Sequence, residues 1–186
     1  MGAIVVIAAS AGGLDPIVRI TTALPPGCRA SVFIVSHIGA NRSYLPDILA
    51  SRGHLPAAFA QHGEVIKPGR IYVAQPDHHL RLRFGLIRLD QGPKVHFTRP
   101  AADPLFISAA ETYRERVVGI VLSGGDSDGA EGLRAIKAHG GLSLVQEPEE
   151  AAMPDMPIAA LMRDHPQDCL TADRLAERVA TYCAGH

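Results

Sequence analysis

Three short stretches of this chain carry side chains able to do acyl-transfer chemistry, and each follows a run that reads as a buried strand. Ser10 follows Ile4-Val5-Val6-Ile7-Ala8-Ala9, and His37 follows Val32-Phe33-Ile34-Val35 and Ser36. Asp126 and Asp128 follow Val117-Val118-Gly119-Ile120-Val121-Leu122. A hydroxyl, an imidazole and a carboxylate are the nucleophile, base and orienting acid of a serine hydrolase. Continuous, short, β-branched runs are expected of strands covered on both faces. Sites in open α/β sheets form outside the carboxyl ends of such strands, so neighbouring parallel strands would bring all three groups to one edge.

Each stretch taken singly also has a structural reading. The small residues of Ala9-Ser10-Ala11-Gly12-Gly13 let the chain turn sharply and expose a hydroxyl, as at a nucleophile elbow. The helix that follows would aim free backbone N–H groups at the same place. A plain strand-to-helix turn with Ser10 as N-cap uses the same residues. His37 alone fits a structural histidine after a buried strand. The loop Gly124-Gly125-Asp126-Ser127-Asp128-Gly129 offers backbone and carboxylates to phosphate or calcium. It lacks both the Gly-Lys-Ser/Thr ending of a phosphate loop and the closing Glu of a calcium loop. What favours catalysis is the occurrence of all three groups at strand ends.

The elements that must position them alternate. Pro16 suits the first turn of a helix with Ile17, Ile20 and Leu24 on one face, and Pro25-Pro26-Gly27 ends it. Another helix is expected over 43–52. Residues 57–98 read as an antiparallel insertion at the sheet edge. It contains a strand at Ile71–Ala74 and a hairpin turning at Phe84-Gly85-Leu86. Asp103 is the expected N-cap of the next helix, with Pro104 at its first position and Leu105, Phe106, Ala109, Ala110 and Tyr113 facing inward. A helix over 130–139, a strand Leu142–Gln146 and two further helical stretches complete the pattern. Thr171 caps the last, with Leu175, Val179 and Tyr182 as its inner stripe. This predicts an α/β fold with a doubly wound, mostly parallel sheet in three α/β/α layers and a small antiparallel hairpin insertion. Residues 1–186 are expected to form one domain.

Composition narrows the classes. The 186 residues are 47% hydrophobic and 20% charged, ordinary for a globular protein, and the net charge of −1 gives no general attraction to nucleic acid or membrane. The run Ile4–Ala9 is far too short to span a bilayer. Cys28, Cys169 and Cys183 make a poor disulfide framework, which suits a reduced, cytoplasmic setting. His54, His62, His78, His79, His96, His139 and His165 show no metal-ligand spacing, so no metal is expected. Met153 and Met156 are expected to pack against or line the loop, and Arg81 and Arg83 to face solvent.

In five places the sequence resembles the catalytic domain of the chemotaxis receptor methylesterase family. The family's Gly-Ala-Ser-x-Gly-Gly is similar to Ala8-Ala9-Ser10-Ala11-Gly12-Gly13, and its Gln-His-Met-Pro to Ser36-His37-Ile38-Gly39. Its Arg-Pro-Ser-x-Asp-x-Leu-Phe resembles Arg99-Pro100-Ala101-Ala102-Asp103-Pro104-Leu105-Phe106. Its Thr-Gly-Met-Gly-x-Asp-Gly-Ala lies over Ser123 to Ala130, and its Gly-Met-Pro over Asp155-Met156-Pro157. The resemblance implies Ser10 as nucleophile, His37 as base and Asp128 as orienting acid. It implies a substrate and oxyanion surface from Ala11, Gly12, Gly125, Arg99 and Met156, and no cofactor.

The implied reaction is hydrolysis of glutamate methyl esters, and deamidation of glutamine, on the helical bundle of a chemotaxis receptor. Arg42 and Arg99 would be rim cations steering that acidic bundle, unless Arg99 instead partners a carboxylate such as Asp103. Departures from the pattern are Ala8 for glycine, Arg42 near the usual aromatic position, and Gly125-Asp126 for Met-Gly. Asp126 would repel a developing negative charge if it points inward. No receiver domain precedes Met1, so the site is expected to be uncovered in cis and any regulator to be a separate partner. A small-molecule esterase and a non-catalytic docking module are the alternative readings.

Overall fold

The computed structural model describes residues 2–37 and 42–185, which leaves Ile38 and Gly39 of the histidine stretch outside the described residues. Seven strands form one parallel sheet: β1 (Ile4–Ala9), β2 (Ser31–Ser36), β3 (Ala57–Phe59), β4 (Arg70–Val73), β7 (Val117–Val121), β8 (Leu142–Gln146) and β9 (Asp168–Leu170). Their order across the sheet is β3-β4-β2-β1-β7-β8-β9, so the chain winds outward in both directions from β1. The apolar runs that signalled strands lie in its middle, where burial on both faces demands them.

Alternate residues of β1 divide the interior in two. Val5, Ile7 and Ala9 enter one core with Ile17 and Ile20 of α1 (Leu14–Thr22), Leu49 of α2 (Leu45–Arg52) and Leu175 and Val179 of α6 (Ala172–Ala184). Ile4, Val6 and Ala8 enter the other with Phe106 of α3 (Ala102–Tyr113), Leu133 of α4 (Ala130–Ala138) and Ala160 of α5 (Asp155–Asp164). Each large aliphatic side chain buried here contributes about 1.5–3 kcal/mol. The central strands are therefore the rigid base from which the loops at their carboxyl ends project. The predicted three-layer architecture is the one observed, and Thr171 does cap α6, its Oγ1 accepting from Arg174 N.

The expected insertion over 57–98 is corrected. β3 and β4 are parallel members of the main sheet, with Val32 opposite Ile71 and Ala58 opposite Tyr72. Among the described strands β5 (His79–Arg83) and β6 (Leu86–Asp90) alone pair antiparallel, with single antiparallel bridges at Val65–Leu86 and Val95–Thr98. The link from β3 to β4 has no helix; its residues Gly63, Glu64 and Ile66 hydrogen-bond to Gly85 and Ile87 instead. Without strand–helix alternation, nothing in the pattern signals a parallel crossover there. The hairpin turns on Phe84 and Gly85, both at positive φ (49° and 80°), as a two-residue hairpin loop requires. A short edge strand, β9, had no signal strong enough to predict. Among the described residues no helix is long and apolar enough to cross a membrane.

Candidate active site

Adjacent parallel strands in register end level with one another. Ala9 lies opposite Ser36, and Ala8 lies opposite both Val35 and Val121. The ladder continues one step past each strand: His37 N donates to Ala9 O (3.1 Å) and Ser10 N to Ser123 O (2.9 Å). Ser10, His37 and the 123–129 loop therefore leave the sheet side by side, as the strand-end argument requires.

Asp128 is fully buried, and its Oδ2 lies 2.7 Å from His37 Nε2. The same carboxylate accepts the backbone N–H of Ala102 at Oδ2 and that of Asp103 at Oδ1 (3.0 Å). It thus caps α3 from another loop, and the partial positive charge of that helix end stabilises it as an anion. This corrects the expected cap. Ala101 holds the N-cap position of α3 without a side-chain bond, and Asp103 lies inside the helix. Asp103 Oδ1 instead accepts Gly129 N (3.1 Å) and Gly132 N (2.7 Å) at the start of α4, and its Oδ2 lies 2.8 Å from His96 Nε2. Asp128, from the loop before α4, thus caps α3, and Asp103, from the first turn of α3, caps α4. Spacing along the sequence points to a cap within the same segment and misses this exchange.

Asp126 also reaches His37. Its Oδ1 accepts Asp128 N (2.8 Å), and its Oδ2 lies 3.0 Å from His37 Nδ1. That second approach is an ion-pair contact off the hydrogen-bond direction, since Nδ1 is buried without an aligned partner. Burial alone would lower the proton affinity of His37, but the Asp126 and Asp128 carboxylates outweigh it and push the imidazole up from 6.5 to about 9. Asp126 moves the other way: burial raises it, but His37 and the Asp128 N–H hold it below the usual carboxylate range. Burial, then the neighbouring Asp128 charge, raises Asp103.

A histidine whose proton affinity rises on folding stabilises the fold fully below its unfolded value, and that contribution drains as pH climbs through the folded value. The melting temperature should therefore fall between about pH 6.5 and about pH 9, and Asp126→Asn should flatten the fall. Parallel melting curves for the two proteins would contradict the contact.

Ser10 is half-buried, and its Oγ has no hydrogen-bond partner among the described residues. The structure thus brings His37, Asp126 and Asp128 into contact and leaves Ser10 at the end of the neighbouring strand, with no Ser–His hydrogen bond among the described residues. Gly124 packs tightly on Ser10: a Cβ there would lie 2.9 Å from Ser10 Cβ and 2.0 Å from Met156 Sδ. At Gly12 (φ 77°) a Cβ would lie 2.5 Å from Ala152 and 2.7 Å from Ser123 Oγ, so only glycine lets the loop close. Ala11, Gly12 and Gly125 are exposed, and their N–H groups have no partner among the described residues. Such donors at a cleft mouth can hold an oxyanion.

Two other expected surface residues are placed differently. Met156 is wholly buried beneath Gly124, its N–H donating to Gly124 O (2.9 Å), so it supports the loop from behind. Met153, 40% exposed, is the methionine that lies over Gly125. Arg99 does pair with a carboxylate, but with Asp77 rather than Asp103: its Nε and one terminal nitrogen lie 2.9 and 2.7 Å from Asp77 Oδ1. Its remaining bonds go to the carbonyls of Gln91 (3.2 Å) and Gly92 (2.9 Å). Arg42 stacks 4.8 Å from the ring centroid of exposed Tyr44.

Sequence reasoning missed Ser123, whose Oγ donates to Ala11 O (2.7 Å) and accepts Met153 N (2.9 Å), tying the loop after β1 to the one after β8. It missed His96 as the partner of Asp103 too. The ligand atoms of His96, Asp103 and Asp128 lie within 4.8 Å of one another, a spacing a cation could use. Their carboxylate oxygens are already engaged by helix N–H groups and by histidines, which accounts for the cluster without an ion.

Comparison with known proteins bears on the family and the fold. The family model described as CheB methylesterase matches residues 5–179. A Leptospira interrogans protein is 37% identical over 180 residues, which cover 93% of this chain and 91% of that protein. A Pyrococcus horikoshii protein, named protein-glutamate methylesterase/protein-glutamine glutaminase, is 37% identical over 163 residues. Those cover 84% of this chain but 44% of the relative. The Leptospira protein carries the same double name provisionally. The crystal structure of the Thermotoga maritima CheB methylesterase catalytic domain superposes with a TM-score of 0.92 at 30% identity, covering 97% of this chain and 98% of that one.

Proposed function

This chain belongs to the CheB methylesterase family, and from that premise we propose that it hydrolyses glutamate methyl esters on a chemotaxis receptor through Ser10, His37 and Asp128. The observation that carries the reading is the buried 2.7 Å contact of His37 with Asp128, one strand away from Ser10. An acid so placed fixes the imidazole with its proton on Nε2 and stabilises the imidazolium that forms when the ring takes a second proton. The residues 1–186 act in this reading as one catalytic domain.

The steps follow from the groups. His37 accepts the Ser10 proton as Oγ bonds to the ester carbonyl carbon, whose oxygen becomes an oxyanion facing the free N–H groups of Ala11, Gly12 and Gly125. The C–OCH3 bond breaks, and the proton held by His37 leaves with the methoxide as methanol. Water then attacks the acyl-Ser10, passing a proton to His37, which returns it to Oγ and frees a glutamate carboxylate. Glutamine would follow the same course with ammonia as leaving group. The partner is a receptor's acidic helical bundle on the cytoplasmic side, and Arg42, unlike Arg99, is a cation free of carboxylate partners among the described residues.

Incubation with a methylated receptor fragment tests this directly. Methanol should be released in step with loss of methyl ester, and Ser10→Ala should release none. Hydrolysis of small esters with no methanol from receptor would replace the substrate by a small molecule. No hydrolysis of either would favour a docking module.

A further inference from the structure

Asp126 stands where the resemblance places a glycine, and the structure puts its carboxylate against the one ring nitrogen of His37 that Asp128 leaves open. Resting on the hydrolase reading above, we propose that Asp126 is a proton gate on His37. It occupies the nitrogen that must be vacant for the ring to take the Ser10 proton, and it keeps the resting site switched off near neutral pH.

The geometry sets this up. His37 Nε2 is committed to Asp128 at 2.7 Å, so a neutral ring keeps its proton there and turns its lone pair out at Nδ1. Asp126 Oδ2 sits 3.0 Å from that atom, and Oδ1 is anchored by Asp128 N at 2.8 Å. A carboxylate facing a lone pair is repelled; facing an N–H it is attracted. Because Nδ1 has no aligned hydrogen-bond partner, Asp126 acts through its charge, and two anions beside one ring favour the doubly protonated form of His37. Two other titratable groups lie behind the site: Asp103 and His96 form their own pair at 2.8 Å, Asp103 shares the helix cap with Asp128, and a charged His96 adds to the pull that keeps Asp126 ionised. The proton affinity of His37, raised to about 9, agrees with this charge count.

An imidazolium cannot accept a proton from Ser10. Opening the gate requires the Asp126 side chain, 28% exposed, to turn outward and admit solvent to the buried Nδ1, which then loses its proton. Alkaline pH does this, and so does any bound group that draws Asp126 away. Asp126 is a positioning residue here, acting on the reaction through the ring.

The test follows p-nitrophenyl acetate hydrolysis from about pH 6 to about pH 10 in the parent, Asp126→Asn and Asp126→Gly, with Ser10→Ala as background in each. The His37 ring proton is titrated by NMR in the same three proteins, its signal assigned by its loss in His37→Gln. Asn keeps the oxygen that accepts Asp128 N, and Gly removes the group outright. The parent's activity should rise along a limb near the His37 value of about 9. In both variants the ring titration and the limb should move down together by at least about one pH unit. The rate of Asp126→Gly near pH 7.5 should then rise roughly tenfold or more. Ser10-dependent turnover with an unmoved limb and an unmoved ring titration would overturn the gate alone. Loss of turnover in both variants at every pH would overturn it too, making Asp126 a required member of the site. Absence of Ser10-dependent turnover in all three proteins would bring down the hydrolase reading itself.

Discussion

Ser10→Ala should lower ester hydrolysis by about four orders of magnitude or more while leaving the fold as stable as the parent's. The chemical half follows from the role: without Oγ no acyl-enzyme can form, and only background catalysis by the surrounding donors survives. The structural half follows from the contacts. Ser10 Oγ has no hydrogen-bond partner among the described residues, so its removal orphans nothing, while the backbone bond from Ser10 N to Ser123 O is untouched. The two halves are measured together, as kcat on an ester and as the melting temperature. Activity within about tenfold of the parent would remove Ser10 from the mechanism. Equal collapse of activity and stability would make it a structural turn residue.

Asp128→Asn should cost a similar factor, about 10⁴ in kcat, and unlike Ser10→Ala it should also destabilise the protein. An asparagine has one acceptor oxygen where the buried carboxylate uses two. With its NH2 group at the Oδ1 position it confronts the N–H of Asp103; with it at the Oδ2 position it confronts both the N–H of Ala102 and His37 Nε2, forcing the ring into the other tautomer. A buried donor left without an acceptor costs about 1–3 kcal/mol. The contrast with Asp126→Asn is sharp, because that change should speed the reaction near neutral pH. If the two substitutions exchange their effects, the orienting acid is Asp126 and the register of the loop must be redrawn.

Much of this was legible in the sequence, and the parts that were not have physical reasons. Central strands announce themselves because burial on both faces forces continuous β-branched runs such as Ile4-Val5-Val6-Ile7. Their shared register then brings Ser10, His37 and Asp128 to one edge with no further information. β4 carried a similar run in four residues, but β3, Ala57–Phe59, is half-buried without a β-branched residue, and a helix-free crossover hid the parallel pairing of the two. β9 is an edge strand of three half-buried residues and has no comparable pattern.

At the site, residue type identified the groups, whereas their second partners were hidden. Asp103 looks like a cap because it precedes Pro104, yet the N–H groups of its helix point to Asp128, and its own oxygen serves α4. That exchange is a long-range contact with no trace in local spacing. Arg99 and Met156 were placed on the substrate surface by resemblance. Their neighbours show one tied into the Asp77 loop and the other buried under Gly124. Asp126 was flagged as a departure for its charge near the oxyanion. The contact it makes is with His37 instead, which changes the expected consequence from a weaker oxyanion hole to a shifted pH dependence.

The central claim is that Ser10 is a nucleophile activated by His37. Labelling with a fluorophosphonate, followed by peptide mass spectrometry, tests it most directly, because the probe reports covalent reactivity whatever the natural substrate. A single adduct should form on the peptide carrying Ser10, faster as pH rises through about 9, and should be absent from His37→Gln. An unlabelled protein at every pH, or an adduct on another serine, would contradict it.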